Sequence, residues 1–261
     1  RIRLIDQPNY LNINNIKKYF INFPDFFLNR NLETINDVEN FITPPDIWKI
    51  DPFLFYSMDK AVDKILSNPK NKPIFIHGDC DADGVSSCAL LYNYLKKIGF
   101  KVYYHIPNRS KEGHSISEKT IDYVSSIGSK LIITCDIGMS SHKEIKYANK
   151  LGIKTIITDH HKPLYSITDV VAIINPYLKQ NSNMLFKEYC GSGVAFKLCH
   201  ALNIRLKLDS DYLYKLMEIA LIGIISDRVS MKNENRYLSY YGLSFFQAGS
   251  NKGIISLKKK T

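Results

Sequence analysis

Acidic residues and histidines follow three predicted strands at the point where each strand ends. The run HGDCDADG occupies residues 77–84, Asp136 ends a second apolar run, and Asp159, His160 and His161 follow a third. An aspartate after a strand is often only a helix cap or a turn residue. Several carboxylates that converge on one sheet edge, however, repel one another unless cations neutralise them. Oxygen and imidazole ligands suit Mn²⁺ or Mg²⁺ better than they suit a thiolate-type zinc site, so the pattern predicts divalent ions here.

Two such ions that share one bridging carboxylate are the usual arrangement for in-line attack on a phosphorus atom. The elements that would position the ligands are short β-branched runs that alternate with helical stretches. This alternation predicts an α/β fold, a parallel five-stranded sheet with helices on both faces, followed by a helical segment. In open parallel sheets, ligands bind at the carboxyl ends of the strands. The predicted strands are 74–77, 101–106, 130–135, 153–158 and 170–174, and the predicted helices are 85–98, about 115–127, 141–151, 192–203, about 209–226 and 234–246.

Three segments are predicted along the chain. Residues 1–72 form an N-terminal arm with helices, because Asn-rich stretches and Pro44-Pro45 interrupt it and MDKAVDKIL at 58–66 is typical of a short amphipathic helix. Residues 73–232 form the α/β domain, and residues 233–261 begin a further helix. No period of 20–50 residues recurs, which argues against a solenoid.

The composition excludes several classes of protein. Hydrophobic residues make up 45% and charged residues 23%, which are ordinary values for a globular protein, and no apolar run approaches the ~20 residues of a membrane span. The 35 basic residues against 25 acidic ones give a net charge of +10, which suits an anionic partner such as nucleic acid. A Lys- and Asn-rich chain from an AT-rich genome would carry the same charge without such a partner, so charge alone favours nucleic acid only weakly.

The cysteines favour a reducing compartment. Their number is odd and they form no CxxC pair, which argues against a disulfide framework and against a Cys-ligated zinc site. We therefore expect a cytoplasmic protein, from a bacterium or an endosymbiont-like source or from an organelle. The five residues are Cys80, Cys88, Cys135, Cys190 and Cys199.

Four motifs together resemble the DHH phosphoesterase superfamily, and within it the bacterial single-strand exonucleases most closely. They are GDCDADGVSS at 78–87, TCDIG at 134–138, TDHH at 158–161 and CGSGVAFKL at 190–198. The resemblance extends over roughly residues 55–257. It implies that 73–232 is a catalytic DHH domain, that 233–261 starts a linker helix, and that two Mn²⁺ or Mg²⁺ ions take part in phosphodiester hydrolysis.

The resemblance also implies a ligand for each ion. Asp81, with His77 as a partner, would hold the first ion, and Asp83 and His160 would hold the second. Asp136 would bridge the two ions. Asp227, the last ligand of the family set, ends the apolar stretch MEIALIGIISD, where an acidic side chain needs a partner.

Further residues match family positions around these ligands. His161 would contact the substrate phosphate, and Asp159 would orient the histidine pair. Asp79 would support the loop, and Arg109 would contact phosphate through its guanidinium. The catalytic set is thus His161, Asp136 and Arg109. Contacts with a nucleic-acid strand or its phosphates are expected at Arg109, His161, Gly191, Ser192, Gly193, Asn235 and Arg236, with the glycines allowing close approach of the backbone.

The chain departs from the family pattern at several places. Ile137 stands where asparagine is usual, residues 113–115 replace GYG, and GIISDRVSM at 223–231 replaces GTIADVVPL. These departures affect the substrate contacts more than the metal ligands. The family continues beyond the linker helix into domains that close over the substrate, so we expect this chain on its own to grip a single strand weakly.

Three functions remain open from the sequence. The first is a 5′–3′ single-stranded-DNA exonuclease of DNA repair or recombination, with single-stranded nucleic acid as substrate and a single-strand-binding protein or a helicase as a further partner. The second is a phosphodiesterase for short oligonucleotides or cyclic dinucleotides. The third is a non-catalytic scaffold that keeps the fold. The sequence predicts no membrane association and leaves the oligomeric state open.

Overall fold

The computed structural model describes residues 21–22, 24–30, 32–44, 46–113, 115–163, 167–249 and 251–260. Five parallel strands form one sheet in the spatial order β2-β1-β3-β4-β5, which confirms the predicted parallel sheet. Strand ends differ from the prediction by one or two residues. The strands are β1 (Ile74–Gly78), β2 (Val102–His105), β3 (Leu131–Cys135), β4 (Lys154–Thr158) and β5 (Ala172–Ile174).

The carboxyl ends of four strands lie level with one another. Gly78 pairs with Cys135, Cys135 with Thr158, and Thr158 with Ile174. The next residues continue the ladder, because the backbone N–H groups of the residues after β1, β3 and β4 donate to the neighbouring strand at 3.2, 2.9 and 3.1 Å. This register brings residues 79, 136, 159 and 175 into one row along the sheet edge.

Helices cover both faces of the sheet, as predicted. Ile74 and Ile76 of β1 belong to a large core that includes residues of α3, α4, α8 and α9, whereas Phe75 belongs to a second core with α6 and α7. Strand residues are therefore buried from two sides. The helices are α1 (Pro24–Leu28), α2 (Ile35–Ile42), α3 (Met58–Leu66), α4 (Ala82–Lys97), α5 (Arg109–Glu112), α6 (Glu118–Ser126), α7 (His142–Lys150), α8 (Gly191–Arg205), α9 (Asp211–Ser226), α10 (Asn233–Ala248) and α11 (Lys252–Lys258).

The segment that precedes the sheet contributes to the large core. Ile47, Phe55 and the buried side of α3 pack with strand residues, and Trp48 donates from Nε1 to the Tyr214 hydroxyl at 2.6 Å. The helix predicted at 58–66 is confirmed. Residues on both sides of position 72 thus share one core, and the division of the chain into three segments stays a prediction.

The helices after the sheet pack closely on one another. A Cβ at Gly242 of α10 would lie 2.4 Å from the Met217 carbonyl oxygen of α9, so the two helices meet where the side chain is missing. Helix α10 ends at Gly249, whose φ of 70° is in the left-handed region that terminates helices. None of the helices in the described ranges has the length and apolar character needed to cross a bilayer.

Candidate metal centre

The loop between β1 and α4 carries two of the predicted acidic residues, Asp79 and Asp81, and Asp83 follows in the first turn of α4. Asp81 caps α4, since its Oδ1 accepts a hydrogen bond from the Gly84 N–H at 2.9 Å. Helix α4 therefore begins at Ala82, three residues before the predicted start, because the cap lies inside the acidic motif. A Cβ at Gly84 would lie 2.6 Å from the Asp79 carbonyl oxygen, so only glycine lets the loop fold this closely onto the helix.

Asp136 follows β3 in an unusual backbone conformation. Its φ is 63°, in the left-handed region that aspartate and asparagine tolerate better than most residues. Its side chain is buried, and its Oδ1 lies 3.0 Å from His160 Nε2 without a well-aligned hydrogen bond from the described residues. The turn continues through Gly138, where φ is 124° and a Cβ would lie 2.6 Å from Thr134 Oγ1.

Asp159 fixes the two histidines that follow it. Its Oδ1 accepts hydrogen bonds from the backbone N–H groups of His160 and His161 at 2.8 and 3.0 Å, and contacts His161 Nδ1 at 2.8 Å. Its Oδ2 accepts from the Met139 N–H at 3.2 Å. The hydrogen bond to Asp159 raises the pKa of His161 to about 9, so this exposed ring is a cation at neutral pH.

His160 lies at the centre of the acidic residues. Its Nε2 is 3.0 Å from Asp136 Oδ1, 3.8 Å from Asp83 Oδ2 and 3.7 Å from Asp227 Oδ2. Residues far apart in the chain therefore surround one imidazole. Ligand atoms within 4.8 Å of one another occur in three groups of described residues, namely Asp136-His160-His161, Asp83-His160-Asp227 and Asp79-Asp81-Asp136.

The electrostatics of this cluster favour a cation. Burial, with the charges of Asp83 and Asp81, raises the pKa of Asp136 to about 7, although His160 opposes the shift. Burial also raises the pKa of Asp227. Burial lowers the pKa of His160, but contact with Asp136 outweighs it and the net shift is upward. The raised pKa values show that negative charge is unfavourable in this cluster. Divalent cations would neutralise the carboxylates and remove that penalty.

The amino end of α8 supports the cluster from below. Asp83 accepts hydrogen bonds from the N–H groups of Gly191 at 2.5 Å and Ser192 at 2.9 Å. A Cβ at Gly191 would lie 2.7–2.8 Å from the Asp136 side chain. The glycine motif thus brings a helix terminus onto the two acids.

Gly223 is a further residue of this site, which sequence reasoning missed. A Cβ there would lie 2.2 Å from both Asp83 Oδ1 and Ser192 Oγ. The available signal was a glycine four residues before Asp227, within the apolar stretch MEIALIGIISD.

Known proteins give the same classification. The family model described as "DHH family, N-terminal domain" matches residues 73–224. The chain belongs to the DHH family. Among curated relatives of the DHH family, the single-stranded-DNA-specific exonuclease RecJ of Bacillus subtilis is 36% identical over 231 residues, which cover 88% of this chain and 28% of that protein. Escherichia coli RecJ is 35% identical over 204 residues, which cover 74% of this chain and 35% of that protein.

Solved DHH structures agree in fold. A manganese-bound exonuclease RecJ superposes with a TM-score of 0.72 at 29% identity, over 79% of this chain and 52% of that one. RecJ of Thermus thermophilus in complex with Mn²⁺ gives 0.71 at 27% identity, over 90% of this chain and 32% of that one. The chain spans about a third of the length of the curated relatives it matches.

His77 is not brought to the cluster, contrary to the first-ion ligand set that the DHH resemblance implied. Its ring is fully buried and stacks on His105 at 5.5 Å, and neither ring nitrogen has a hydrogen-bond partner among the described residues. Burial lowers its pKa to about 3. In its place, Asp79 joins Asp81 and Asp136, although Asp79 was expected only to support the loop.

The residues that were expected to contact a nucleic-acid strand differ in their exposure. Arg109 is exposed at the start of α5, and its charge acts on Cys80 in the acidic loop. Gly191, Ser192 and Gly193 are buried in the first turn of α8, where Gly191 packs closely on the Asp136 side chain, and their contact with a nucleic-acid strand stays a prediction.

Asn235 and Arg236 also make internal bonds. Asn235 is fully buried and donates from Nδ2 to the carbonyl oxygens of Glu188 at 2.6 Å and Ser230 at 2.9 Å, and its contact with a nucleic-acid strand stays a prediction. Arg236 is half-buried and donates from Nε to the Phe41 carbonyl oxygen at 2.8 Å.

Proposed function

We propose that this chain is the catalytic DHH part of a metal-dependent, RecJ-like exonuclease that degrades single-stranded DNA in the 5′–3′ direction. One observation carries the proposal: Asp83, Asp136, His160 and Asp227 converge within contact distance although they come from four separate elements. The named activity of the RecJ relatives supports the substrate class.

The residues of the cluster have complementary tasks in this proposal. Asp136 would be the ligand shared by two groups of residues that would hold the divalent ions, with Asp79 and Asp81 in one group and Asp83, His160 and Asp227 in the other. When bound, Mn²⁺ or Mg²⁺ supplies a water of lowered pKa and neutralises phosphoryl charge. His161, held as a cation by Asp159, donates a hydrogen bond to a phosphoryl oxygen. Arg109 contacts a phosphate from the rim of the acidic loop.

The wider biology is proposed from the relatives. We propose a cytoplasmic location for this chain, which the bacterial origin of the RecJ relatives and the five free thiols support. DNA repair or recombination is the corresponding process. A single-strand-binding protein or helicase as partner stays a prediction that rests on the resemblance.

The test uses the full 261-residue chain with Mn²⁺, Mg²⁺ or EDTA. A 20-nucleotide single strand labelled at either end, the matching duplex and a dinucleotide serve as substrates. We expect mononucleotides from the 5′ end of the single strand, no release in EDTA, and slow attack on the duplex.

The decisive variant is Asp136→Asn, and Asp25→Asn, an exposed residue of α1, is its matched control. We expect roughly a 1,000-fold loss of turnover for the first and none for the second, following the usual size of electrostatic effects in such sites. Equal turnover in Asp136→Asn and the unmodified chain would contradict the proposal. Rapid dinucleotide cleavage with an intact long strand would favour the short-oligonucleotide phosphodiesterase instead.

A further inference from the structure

A basic groove lies beside the turn that follows Asp227. It is lined by Arg30, Phe41, Glu188, Met231, Lys232 and Arg236, among others, and its volume is about 610 Å³. Three cationic residues and one acidic residue thus line the groove, and the Arg30 guanidinium also donates to the Phe26 carbonyl oxygen at 2.7 Å. An aromatic ring and a methionine add to the lining, so charge and apolar surface occur together.

The groove is continuous with the metal centre along the chain. Asp227 is followed by a short turn to Ser230, and three residues span at most about 11 Å. Arg228, inside this turn, has a φ of 56°. The chain therefore passes from the candidate ligand Asp227, at the end of α9, to the groove wall at Ser230 within one turn.

The first turn of α10 builds the groove. The buried Asn235 amide joins the carbonyl oxygens of Glu188 and Ser230, which lie on two of the walls. Arg236 donates to the Phe41 carbonyl oxygen and its guanidinium lies 4.1 Å from the centroid of the Phe41 ring. The walls are thus fixed relative to one another before any ligand binds.

Arg236 combines a fixed position with unused donors. Its hydrogen bond to Phe41 uses Nε, and no described residue accepts from Nη1 or Nη2 within hydrogen-bonding distance. Burial lowers the pKa of this guanidinium, which nevertheless stays charged at neutral pH. Guanidinium groups with two free N–H donors match phosphate oxygens.

We propose that this groove binds the single-stranded nucleic acid beyond the scissile nucleotide, with phosphates on Arg30, Lys232 and Arg236 and a base against Met231 and the stacked Arg236–Phe41 pair. Proteins that bind single strands combine these two features, cationic side chains along the backbone and aromatic rings under the bases. The inference rests on the proposed function, because it assigns a second subsite to the same substrate.

The test measures binding without hydrolysis. Fluorescence anisotropy in EDTA gives the affinity of the full chain for labelled dT2 and dT12 between about 50 and 300 mM salt, since binding through phosphates weakens with salt by a slope of about 0.7 per contact on a single strand. We expect Lys232→Gln and Arg30→Gln each to weaken dT12 binding by about three- to tenfold at the lowest salt and to lower the slope by about 0.7. Lys232 makes no side-chain capping hydrogen bond at the start of α10, so its substitution removes no cap.

Lys146→Gln is the matched control, because it removes the same charge from a position on α7, outside the groove. It is expected to keep the unmodified slope. Arg236→Gln is expected to weaken dT12 binding further, and its thermal unfolding shows whether the loss of the Phe41 contacts unfolds the chain.

A second measurement locates the strand independently of these variants. Oligonucleotides that carry 5-bromodeoxyuridine are photo-crosslinked to the unmodified chain and the attached peptide is identified by mass spectrometry. Crosslinks at Phe41 or Met231 are expected. Unchanged slopes in both Lys232→Gln and Arg30→Gln, or crosslinks only outside the groove, would overturn the inference. Retained Mn²⁺-dependent hydrolysis in the same variants would leave the proposed function standing.

Discussion

Asp136 combines two unfavourable features at one residue. Its backbone is left-handed and its carboxyl is buried beside other acids. Each of these costs on the order of 1–3 kcal/mol, and both are typical of functional positions. A divalent cation would convert the second cost into an attraction. The residue is therefore arranged for a bound ion and not for the stability of the metal-free chain.

This arrangement predicts how metal-free stability depends on pH. The folded pKa of Asp136, about 7, exceeds the ordinary value of 3.8, so the folded chain binds the extra proton between those values. The contribution of this bound proton to the free energy of unfolding is therefore present at low pH and is lost as pH rises from about 4 to about 7. Asparagine suits the left-handed backbone and does not titrate. We expect Asp136→Asn to raise the free energy of unfolding in EDTA at pH 8 by on the order of 3 kcal/mol.

Urea titrations at pH 5 and pH 8 measure the effect. The gain of Asp136→Asn should be much smaller at pH 5 than at pH 8, and Asp25→Asn should show neither change. A gain that is equal at both pH values would mean that the carboxyl of Asp136 ionises in the folded chain as easily as in water.

Gly191 provides a second prediction at the residue scale. An added Cβ would meet the Asp136 side chain at 2.7–2.8 Å, whereas the nearest atom to a Cβ at Gly193 is Tyr189 Cδ1 at 3.4 Å. Gly191→Ala is expected to displace Asp136, with roughly a tenfold or greater loss of Mn²⁺-dependent turnover and a destabilisation of about 1–3 kcal/mol. Gly193→Ala, in the same helical turn, is the matched control.

Turnover on the single strand and unfolding in urea are both measured for the two variants. Equal losses in both would show that the first turn of α8 as a whole is intolerant of alanine, and would contradict the specific contact. Alanine is itself favourable in helices, so a stabilised Gly193→Ala is an acceptable result.

Most of the acids and histidines of the site could be predicted from the sequence, but not which of them lie together in one ligand group. Asp83, Asp136, His160 and Asp227 could be selected because strand ends converge in parallel sheets. The exchange of His77 for Asp79 could not, because it depends on where β1 ends and on the fold of the loop after it. His77 lies inside the strand, whereas Asp79 lies past its end, next to Asp81, which caps α4.

At the scale of elements, the level strand ends explain why distant residues meet. Four neighbouring strands end in register, so the residues that follow them form a row without any long loop. The strand order was not predictable from periodicity, because the strands in the middle of the sheet are apolar on both faces. The start of α4 was predicted late because its cap is itself an acidic motif residue.

The start of α10 connects three parts of the chain through consecutive residues. Glu234 forms an ion pair with Lys197 of α8 at 2.7 Å and accepts a hydrogen bond from the Tyr189 hydroxyl. The next residue, Asn235, donates to the carbonyl oxygens of Glu188 and Ser230. Arg236 then donates to the carbonyl oxygen of Phe41. The glycine motif of α8, which includes Lys197, and the first turn of α10, which includes Glu234, therefore meet in one buried ion pair. The hydrogen bond from Asn235 to the Ser230 carbonyl oxygen connects this first turn of α10 to the turn that follows Asp227.

Lys197→Met tests this connection. The variant leaves Glu234 buried without its cation, which typically destabilises a protein by about 3–5 kcal/mol. We expect a loss of that size in urea unfolding.

The double variant Lys197→Met with Glu234→Gln removes both charges and should recover more than half of the loss. The two side chains are both buried, so salt should change the result little. A single-variant loss below about 1 kcal/mol, or a double variant less stable than Lys197→Met, would contradict a buried pair that holds α8 and α10 together.

At the scale of the whole molecule, the positive charge and the acidic centre have opposite signs. The net charge of +10 attracts a polyanion, while the carboxylates at the sheet edge would repel its phosphates. Bound cations would remove this conflict, because they would neutralise the acids at the point where, in the proposed function, a phosphodiester approaches. The molecule as a whole thus depends on metal for its local charge balance.

Metal binding should therefore stabilise the fold measurably. A ligand at about 100 times its Kd adds about 2.7 kcal/mol, and for a chain of this length each kcal/mol shifts Tm by about 2–4 °C. We expect Mn²⁺ to raise Tm by about 5–11 °C at pH 8 in a thermal shift assay. The rise should be smaller at pH 6, because protons then compete for Asp136, whose pKa of about 7 lies above that pH.

The same assay separates an enzyme from a scaffold that keeps only the fold. Asp25→Asn should show the full rise in Tm, whereas Asp136→Asn should show little, since it lacks the bridging carboxylate. No rise in the unmodified chain would favour the scaffold, because a fold without tightly held ions cannot use them for hydrolysis. A rise that Asp136→Asn retains in full would instead place the ions elsewhere in the molecule. Only a rise that is lost in Asp136→Asn and grows with pH ties metal binding to the acids at the sheet edge.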